Sequence, residues 1–181
     1  MNNTRQKLEE AKYFLNQLQL FVNNPKKFYF NLSAFLSAAR STTLFMQCEF
    51  KKFKEFSDWY EKKQKKMIDD KDFLFFNNLR VETIHKRIVR PHKRIEVGIS
   101  GDISFIGNLE IKVFKNNKVI SKKTVESEKI KLPPEKEVTV KYFWYSEERP
   151  DEDFLELCRV YVKKLEKLVE ECEKNFIRSR M

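Results

Sequence analysis

Arg80 and His85 are the two residues whose types and spacing best suit chemistry on a phosphate group. A guanidinium donates two parallel hydrogen bonds to phosphate oxygens, and a neutral imidazole takes a proton from a hydroxyl group. Together they are the minimum equipment for RNA cleavage without a metal ion, in which a base activates the 2′-hydroxyl and a cation holds the phosphate. The sequence therefore makes Arg80 and His85 the candidate catalytic residues.

The spacing of this pair limits how it can work. On a regular α-helix a separation of five residues places the two side chains about 140° apart. A working site then needs either a distorted helix end or a partner subunit that brings two copies of the pair together. The spacing alone is not specific, because Arg87 and His92 share it. The competing interpretation is that His85 is an ordinary surface residue at a helix end.

A basic segment follows His85, with five formal positive charges and no acidic residue between positions 86 and 94. As a guide for the RNA backbone it would supply these RNA- or phosphate-binding residues: Lys86, Arg87, Arg90, His92, Lys93 and Arg94. The alternative is a solvated helix end whose cations suit the negative end of the helix dipole. The formal net charge of +10 fits a polyanionic partner, although lysine-rich chains also use charge for solubility.

The amino-acid composition limits the classes of protein to which this chain can belong. The 181 residues are 41% hydrophobic and 35% charged, which predicts a globular protein with a substantial core. Only 3 glycines occur, and no glycine-rich phosphate-binding motif is present, so a nucleotide-binding α/β fold is not expected. We expect no metal and no cofactor. Cys48, Cys158 and Cys172 are interpreted as reduced core residues.

No apolar stretch reaches the roughly 20 residues that span a bilayer, and the N-terminus lacks the apolar segment of a secretory signal. These features predict a cytoplasmic protein without a membrane partner.

Periodicity predicts the elements that position the candidate residues. Apolar residues recur at helical spacing through the first half, and the helix that carries Arg80 and His85 should start near Asp72 and end near Val89 or Arg90, ahead of Pro91. From about 95 to 145 the period is two, which predicts a small antiparallel sheet of four or five strands. A final helix should begin at about Asp151.

The predicted fold class is α+β, mainly α. We expect a single domain over residues 1–181, with a helical bundle at 4–92 and 151–178 and a β insertion at about 94–146. The sheet would then precede the last long helix, which packs across the N-terminal helices.

Three further residues have competing interpretations. Arg40 lies among small residues, and we expect it to form an ion pair with Glu49 or Asp58 rather than to reach into a cleft. Trp59 and Tyr60 have rings that stack on bases in some RNA-binding proteins, but in a chain with 17 phenylalanines they are predicted to belong to the core.

The Arg-x4-His run near the end of a bundle helix resembles the Arg-x(4–6)-His motif of the HEPN superfamily. The stretch from Phe30 to Ser41 is similar to a run in small uncharacterised bacterial proteins of that kind. In those proteins an aromatic pair and an acidic pair follow in the same order, here Trp59-Tyr60 and Asp69-Asp70, before the Arg/His segment. The resemblance covers about residues 4–92 and, more loosely, the helix from 151 onward.

This resemblance implies a homodimeric helical bundle with Arg80 and His85 at or near the subunit interface. It also implies metal-independent endoribonuclease activity in a toxin–antitoxin or defence context, with an antitoxin or another protein as a possible partner. The alternative is a non-catalytic interaction or RNA-binding module of the same fold. Val81 is a departure from the pattern, because a polar residue, often Asn, commonly follows the arginine.

Overall fold

Five α-helices and four β-strands make up the part of the chain that the computed structural model describes, which comprises residues 2–99, 109–115, 118–125 and 138–177. They follow in the order α1 (Asn3–Leu20), α2 (Pro25–Phe50), α3 (Phe56–Asp69), α4 (Lys71–His85), β1 (His92–Ile99), β2 (Leu109–Lys115), β3 (Lys118–Val125), β4 (Val138–Tyr145) and α5 (Phe154–Phe176). The predicted fold class, mainly α with a small antiparallel sheet before the last helix, is confirmed.

Side-chain caps determine where four of the helices begin. In each case an Asn or Asp oxygen accepts a hydrogen bond from a backbone N–H in the first turn, which satisfies a donor that the helix itself leaves unpaired. The capping residues are Asn2, Asn24, Asp70 and Asp153. Pro25 occupies the first turn of α2, as predicted, because its missing N–H is not needed there.

Aromatic side chains fill the core of the helical part. Phe76 of α4 stacks on Tyr161 of α5, with 4.4 Å between the ring centroids. Trp144 of β4 is fully buried and stacks on Phe28 at 3.9 Å, while its indole nitrogen donates to the carbonyl oxygen of Val22 at 2.9 Å. The end of β4 is thereby anchored to the helices that precede it in sequence.

The prediction that the last helix packs across the N-terminal helices is confirmed, because α5 packs against α1, α2 and α4. One apolar stripe along α5 is buried throughout: Leu155, Cys158, Val162, Leu165, Val169, Cys172 and Phe176. Tyr60 is also buried and Trp59 packs against the core, which confirms their assignment to the interior.

The helix α4 ends earlier than the sequence predicts. It stops at His85, several residues short of the expected end next to Pro91. The backbone N–H groups of Lys86 and Arg87 both donate to the carbonyl oxygen of Glu82, which closes the last turn. The residue before a proline is disfavoured in helical conformation, and the chain leaves the helix well ahead of that constraint.

The prediction that all three cysteines belong to the core is wrong for one of them. Cys158 and Cys172 are buried on α5, whereas Cys48 is exposed on α2. All three are free thiols. Apolar residues lie on most of the circumference of α2, so its sequence alone does not show which side faces solvent.

The strands also pair differently from the prediction of one sheet. Within the described residues they form two separate two-stranded sheets, one of β1 with β4 and one of β2 antiparallel to β3. The register of β2 and β3 shifts between Val113 and Phe114. The strand expected at 103–105 and the breaks expected at 116–117 and 133–134 lie outside the described residues.

The chain divides into two compact units. Met1–Arg94 and Tyr142–Met181 form the first, which holds all five helices together with Arg80 and His85, and Ile95–Lys141 forms the second. The single domain over residues 1–181 stays a prediction.

A cluster of charged residues joins the start of α4 to α5 and to the turn that precedes α5. The carboxylate of Asp72 is almost fully buried and accepts hydrogen bonds from Arg149 Nη1 at 2.7 Å and from Lys164 Nζ at 2.8 Å. Lys164 also contacts both oxygens of Asp70, and Arg149 holds Glu152 through two further hydrogen bonds. Each buried charge in this cluster therefore has an opposite charge beside it.

We expect the protein to lose stability as the pH falls through the aspartate range. Burial by itself raises the pKa of Asp72, but hydrogen bonds from Lys164 and Arg149 outweigh it and leave that pKa below its ordinary value, and Asp70 is shifted in the same direction. Because the folded-state pKa is depressed, the stabilisation is present above the ordinary value of about 3.9 and is lost progressively below it.

Urea unfolding at neutral pH and at about pH 3 measures this loss. The variant Asp72→Asn cannot titrate at this position and should lose less stability between the two pH values than the native protein. An equal loss of stability in both proteins would show that the titration of Asp72 does not cause the pH dependence.

Candidate functional site

Arg80 lies on α4 with its side chain half buried. Its Nε is enclosed by the protein and has no hydrogen-bond partner among the described residues. Two other half-buried arginines are different, because Arg5 holds Glu173 and Arg149 holds Glu152 through paired hydrogen bonds. An enclosed donor without an acceptor costs about 1–3 kcal/mol. The guanidinium of Arg80 thus has no counter-charge among the described residues.

His85 is exposed, and no described residue hydrogen-bonds to its ring. The second Arg/His pair with the same spacing is engaged elsewhere. Arg87 Nε donates to Glu82 at 2.5 Å, and His92 Nε2 lies 3.1 Å from a carboxylate oxygen of Glu147. The structure therefore distinguishes the two pairs, which the sequence does not.

A single copy of the chain does not align Arg80 with His85. The helix α4 is continuous from Lys71 to His85, so the separation of about 140° around its axis is retained. A working pair needs either a distorted helix end or a second copy of the chain. Among the described residues, α4 shows no distortion before His85. A second copy of the chain, which would bring two pairs together, stays a prediction.

The outward side of α4 carries exposed apolar residues. Leu74, Val81 and Ile84, here called the outer stripe, recur at steps of seven and three and lie on one face of the helix. Ile84 is 50% exposed. His85 lies on the same face, since it follows Val81 by four residues. This face is opposite the buried side of α4 and has no covering element within the described part of the chain.

The basic segment after α4 combines free and engaged cations. Lys86 and Arg90 are exposed and form no hydrogen bond or ion pair with described residues. Lys93 and Arg94 lie over aromatic rings of β4, at 5.2 and 4.3 Å from the ring centroids. Such stacking holds the side chains in place while leaving their charge able to attract an anion.

A cleft of about 600 Å³ lies along the chain between the end of α4 and the turn after β4. It is lined by Phe75, Leu79, Glu82, Arg87, Ile88, Val89, Arg90, Pro91, His92, Ser146, Glu147 and Glu148. Three of the predicted phosphate-binding residues thus meet three glutamates, which offset part of their charge. Arg80 and His85 are not among the lining residues, so the structure separates the predicted catalytic pair from this cleft.

Arg40 does not form the expected ion pair. Its Nη1 donates to Thr43 Oγ1 at 2.8 Å, and no carboxylate of the described residues pairs with it. Glu49 instead accepts hydrogen bonds from the backbone and side chain of Thr4, which caps the start of α1. The sequence places Glu49 on the same helix as Arg40 but does not show that Glu49 is directed toward α1.

Sequence reasoning also missed the outer stripe and the role of Glu147. The stripe was detectable, because α4 has apolar residues on more of its circumference than one buried face requires. Glu147 carries no such signal, since its contact with His92 spans 55 positions of sequence.

In the described residues, the fold and the site define a mainly helical protein with an unpaired guanidinium and an exposed imidazole on one helix, next to a basic segment. Residues 1–86 match the model of a family described as bacteriophage lambda protein ea47. The match covers just under half of the chain, ends one residue after His85 and includes α1 to α4. That description names a protein and states no activity. No curated protein and no solved structure matches the chain.

None of the helices among the described residues has the length and apolar character needed to cross a membrane.

Proposed function

We propose that this protein cleaves RNA without a metal ion, with Arg80 as the phosphate ligand and His85 as the general base. One observation supports this choice of residues. In the described part of the chain, Arg80 and His85 are free of carboxylate partners, whereas Arg87 and His92 each contact a glutamate. The resemblance to the HEPN superfamily supports the same pair.

In the proposed reaction the imidazole of His85 takes the proton of a 2′-hydroxyl, and the oxygen attacks the adjacent phosphorus. The bond from phosphorus to the 5′-oxygen breaks, and that oxygen takes a proton from water and leaves as a hydroxyl, while the imidazolium of His85 returns its proton to solvent. The products are a 2′,3′-cyclic phosphate and a 5′-hydroxyl end. Arg80 holds the non-bridging oxygens and stabilises the negative charge that develops on them.

Incubation of single-stranded RNA with the purified protein in EDTA tests the proposal. We expect fragments with 2′,3′-cyclic phosphate and 5′-hydroxyl ends. RNA that stays intact under these conditions, with protein that is folded and dimeric, would overturn it.

A second copy of the chain is part of the proposal, because one copy does not align the two side chains. The outer stripe of α4 is an exposed apolar surface, and His85 lies on the same face of the helix. Pairing of this face across a two-fold axis would bury the stripe and bring both copies of His85 toward one cleft.

We expect Ile84→Asp to convert a dimer into a monomer, because it places a charge in the centre of the proposed interface. Size-exclusion chromatography with light scattering measures the mass. Leu20→Asp is the matched control, since Leu20 is 67% exposed at the end of α1, away from the outer stripe. A native protein that is monomeric at micromolar concentration, or a dimer that persists in Ile84→Asp, would contradict the proposed interface.

The second candidate is an RNA-binding module without catalytic activity. Lys86 and Arg90 are exposed and unpaired among the described residues, and such cations attract an RNA backbone whether or not cleavage follows. The departure at Val81 from the usual polar residue also favours this alternative. Binding that weakens steeply with salt, without cyclic phosphate products, would favour it.

A toxin–antitoxin or defence role, with an antitoxin or another protein as partner, follows only from the HEPN resemblance and stays part of the proposal. A cytoplasmic location stays part of the same proposal. A neighbouring reading frame that encodes a small antitoxin-like or nucleotidyltransferase-like protein would favour the toxin interpretation.

A further inference from the structure

Arg40 is a half-buried cation that the proposed cleavage reaction does not use. One of its five N–H donors is engaged, through the hydrogen bond from Nη1 to Thr43 Oγ1. Among the described residues no carboxylate pairs with it and no aromatic ring lies beneath it. Arg80 Nε is the one described side-chain atom that is both enclosed and unpaired, so the free donors of Arg40 reach solvent.

The guanidinium of Arg40 is nevertheless held in place. Thr43 donates its own hydroxyl proton to the carbonyl oxygen of Arg40 at 3.0 Å, which leaves its Oγ1 lone pairs directed at the guanidinium. The contact therefore runs in both directions along one turn of α2. An arginine fixed in this way loses less conformational freedom when it binds a ligand.

Two phenolic hydroxyls lie near this guanidinium. Tyr60 of α3 accepts a hydrogen bond from Gln47 Nε2 at 3.1 Å, and its hydroxyl also hydrogen-bonds with the side chain of Thr43. Burial raises the pKa of Tyr60 and of Tyr161, and the positive charge of Arg40 opposes the rise in both without cancelling it. Both phenols thus keep their proton at neutral pH and lie within electrostatic reach of Arg40.

Among the half-buried arginines of the described residues, Arg40 shares the lack of a counter-charge with Arg80. Arg5, Arg149 and Arg159 are also half buried, and each pairs with a glutamate. A partly desolvated charge without a partner is unfavourable, and a ligand of opposite charge would relieve that cost. The donors left without a partner are those of the guanidinium, which suit an anion with several acceptor oxygens rather than an apolar or cationic ligand.

We propose that Arg40, with the hydroxyl of Tyr60 beside it, binds an oxyanion of the phosphate or phosphate monoester class. The planar fork of arginine matches two oxygens of such a group, and the neighbouring phenols are uncharged and do not repel it. The site uses α2 and α3 and does not depend on Arg80 or His85. A failure of the proposed RNA cleavage would therefore not exclude this site, and a failure of this site would not exclude the cleavage.

Isothermal titration calorimetry with inorganic phosphate at constant ionic strength tests the site. The measurement is made on Arg80→Gln protein, so that the proposed catalytic cation does not contribute to binding. We expect the added substitution Arg40→Gln to weaken phosphate binding by about tenfold or more. Arg159→Gln in the same background is the matched control and should leave binding unchanged, because it removes the same charge from another helix.

Two further arms complete the test. Adenosine 5′-monophosphate compared with adenosine shows whether a phosphate monoester binds, and a tighter affinity than for inorganic phosphate would assign the natural ligand to that class. Tyr60→Phe should weaken phosphate binding by less than Arg40→Gln does. It replaces Arg40→Gln as the test variant if that protein does not fold. Absence of phosphate binding to the Arg80→Gln protein up to about 10 mM, or equal binding after loss of Arg40, would overturn the proposal.

Discussion

Replacement of His85 by alanine should reduce the rate of RNA cleavage by about 10²- to 10⁴-fold, which is the usual contribution of a general base. The thermal unfolding midpoint should not change measurably. His85 is exposed at the last position of α4 and has no side-chain partner among the described residues, so its removal breaks no stabilising contact. Loss of activity without loss of stability is the signature of a catalytic role.

The comparison with His92 makes this test specific. His92→Ala removes the second histidine of the chain, which contacts Glu147 and lines the cleft. We expect it to raise KM and to leave kcat within a few-fold, since it belongs to the proposed RNA-binding segment and not to the reacting pair. Equal kcat values for native protein and His85→Ala would remove His85 from the mechanism.

Arg80 requires its own test, because it is half buried. Arg80→Lys keeps the charge and loses the planar fork, so cleavage should fall while the fold is retained. Arg80→Ala should remove activity to a similar extent as His85→Ala. Cleavage that survives both arginine variants, with His85 intact, would show that another cation holds the phosphate.

The largest expected effect on stability comes from Asp72→Ala. The variant removes a buried carboxylate that accepts hydrogen bonds from Arg149 and Lys164. Each of these cations keeps one other carboxylate, Glu152 or Asp70, so we expect a loss of about 2–4 kcal/mol rather than the full effect of an unpaired buried charge. For a chain of this size the unfolding midpoint would fall by about 5–15 °C.

Calorimetry or circular dichroism measures the shift, and Asp69→Ala is the matched control. Asp69 is an exposed aspartate that ends α3, three residues from Asp72, and no described residue pairs with it. Its replacement should change the stability by about 0.5 kcal/mol or less. A similar small effect at Asp72 would mean that the charged cluster does not hold α4 and α5 together.

Much of the helical architecture was predictable because it depends on local signals. The period of the apolar residues predicted helices through the first half of the chain and a last helix from about Asp151, and side-chain caps at Asn24 and Asp70 fix two of the observed starts. The stripe along α5 proved to be buried throughout. These features follow from helix geometry and from backbone groups that need hydrogen-bond partners within one turn. Both causes act between residues that are close in sequence, so the sequence shows them directly.

The candidate site was predictable only as residue types. The spacing identified two Arg/His pairs without distinguishing them. What distinguishes them is that Glu82 of α4 engages Arg87 and that Glu147, after β4, engages His92. The end of α4 at His85 was also missed. Where a helix stops before a proline depends on what the exiting chain can pack against.

By itself the sequence determined that the protein is mainly helical, that its charge is positive and that a guanidinium and an imidazole lie near the end of one helix. Only the tertiary structure decided which cations are paired. It joined Asp72 to Arg149 and Lys164, and it left Arg80 and Arg40 without a carboxylate among the described residues. The reason is physical: helix periodicity acts over a few residues, whereas an ion pair depends on which distant side chains the packed helices bring within about 4 Å.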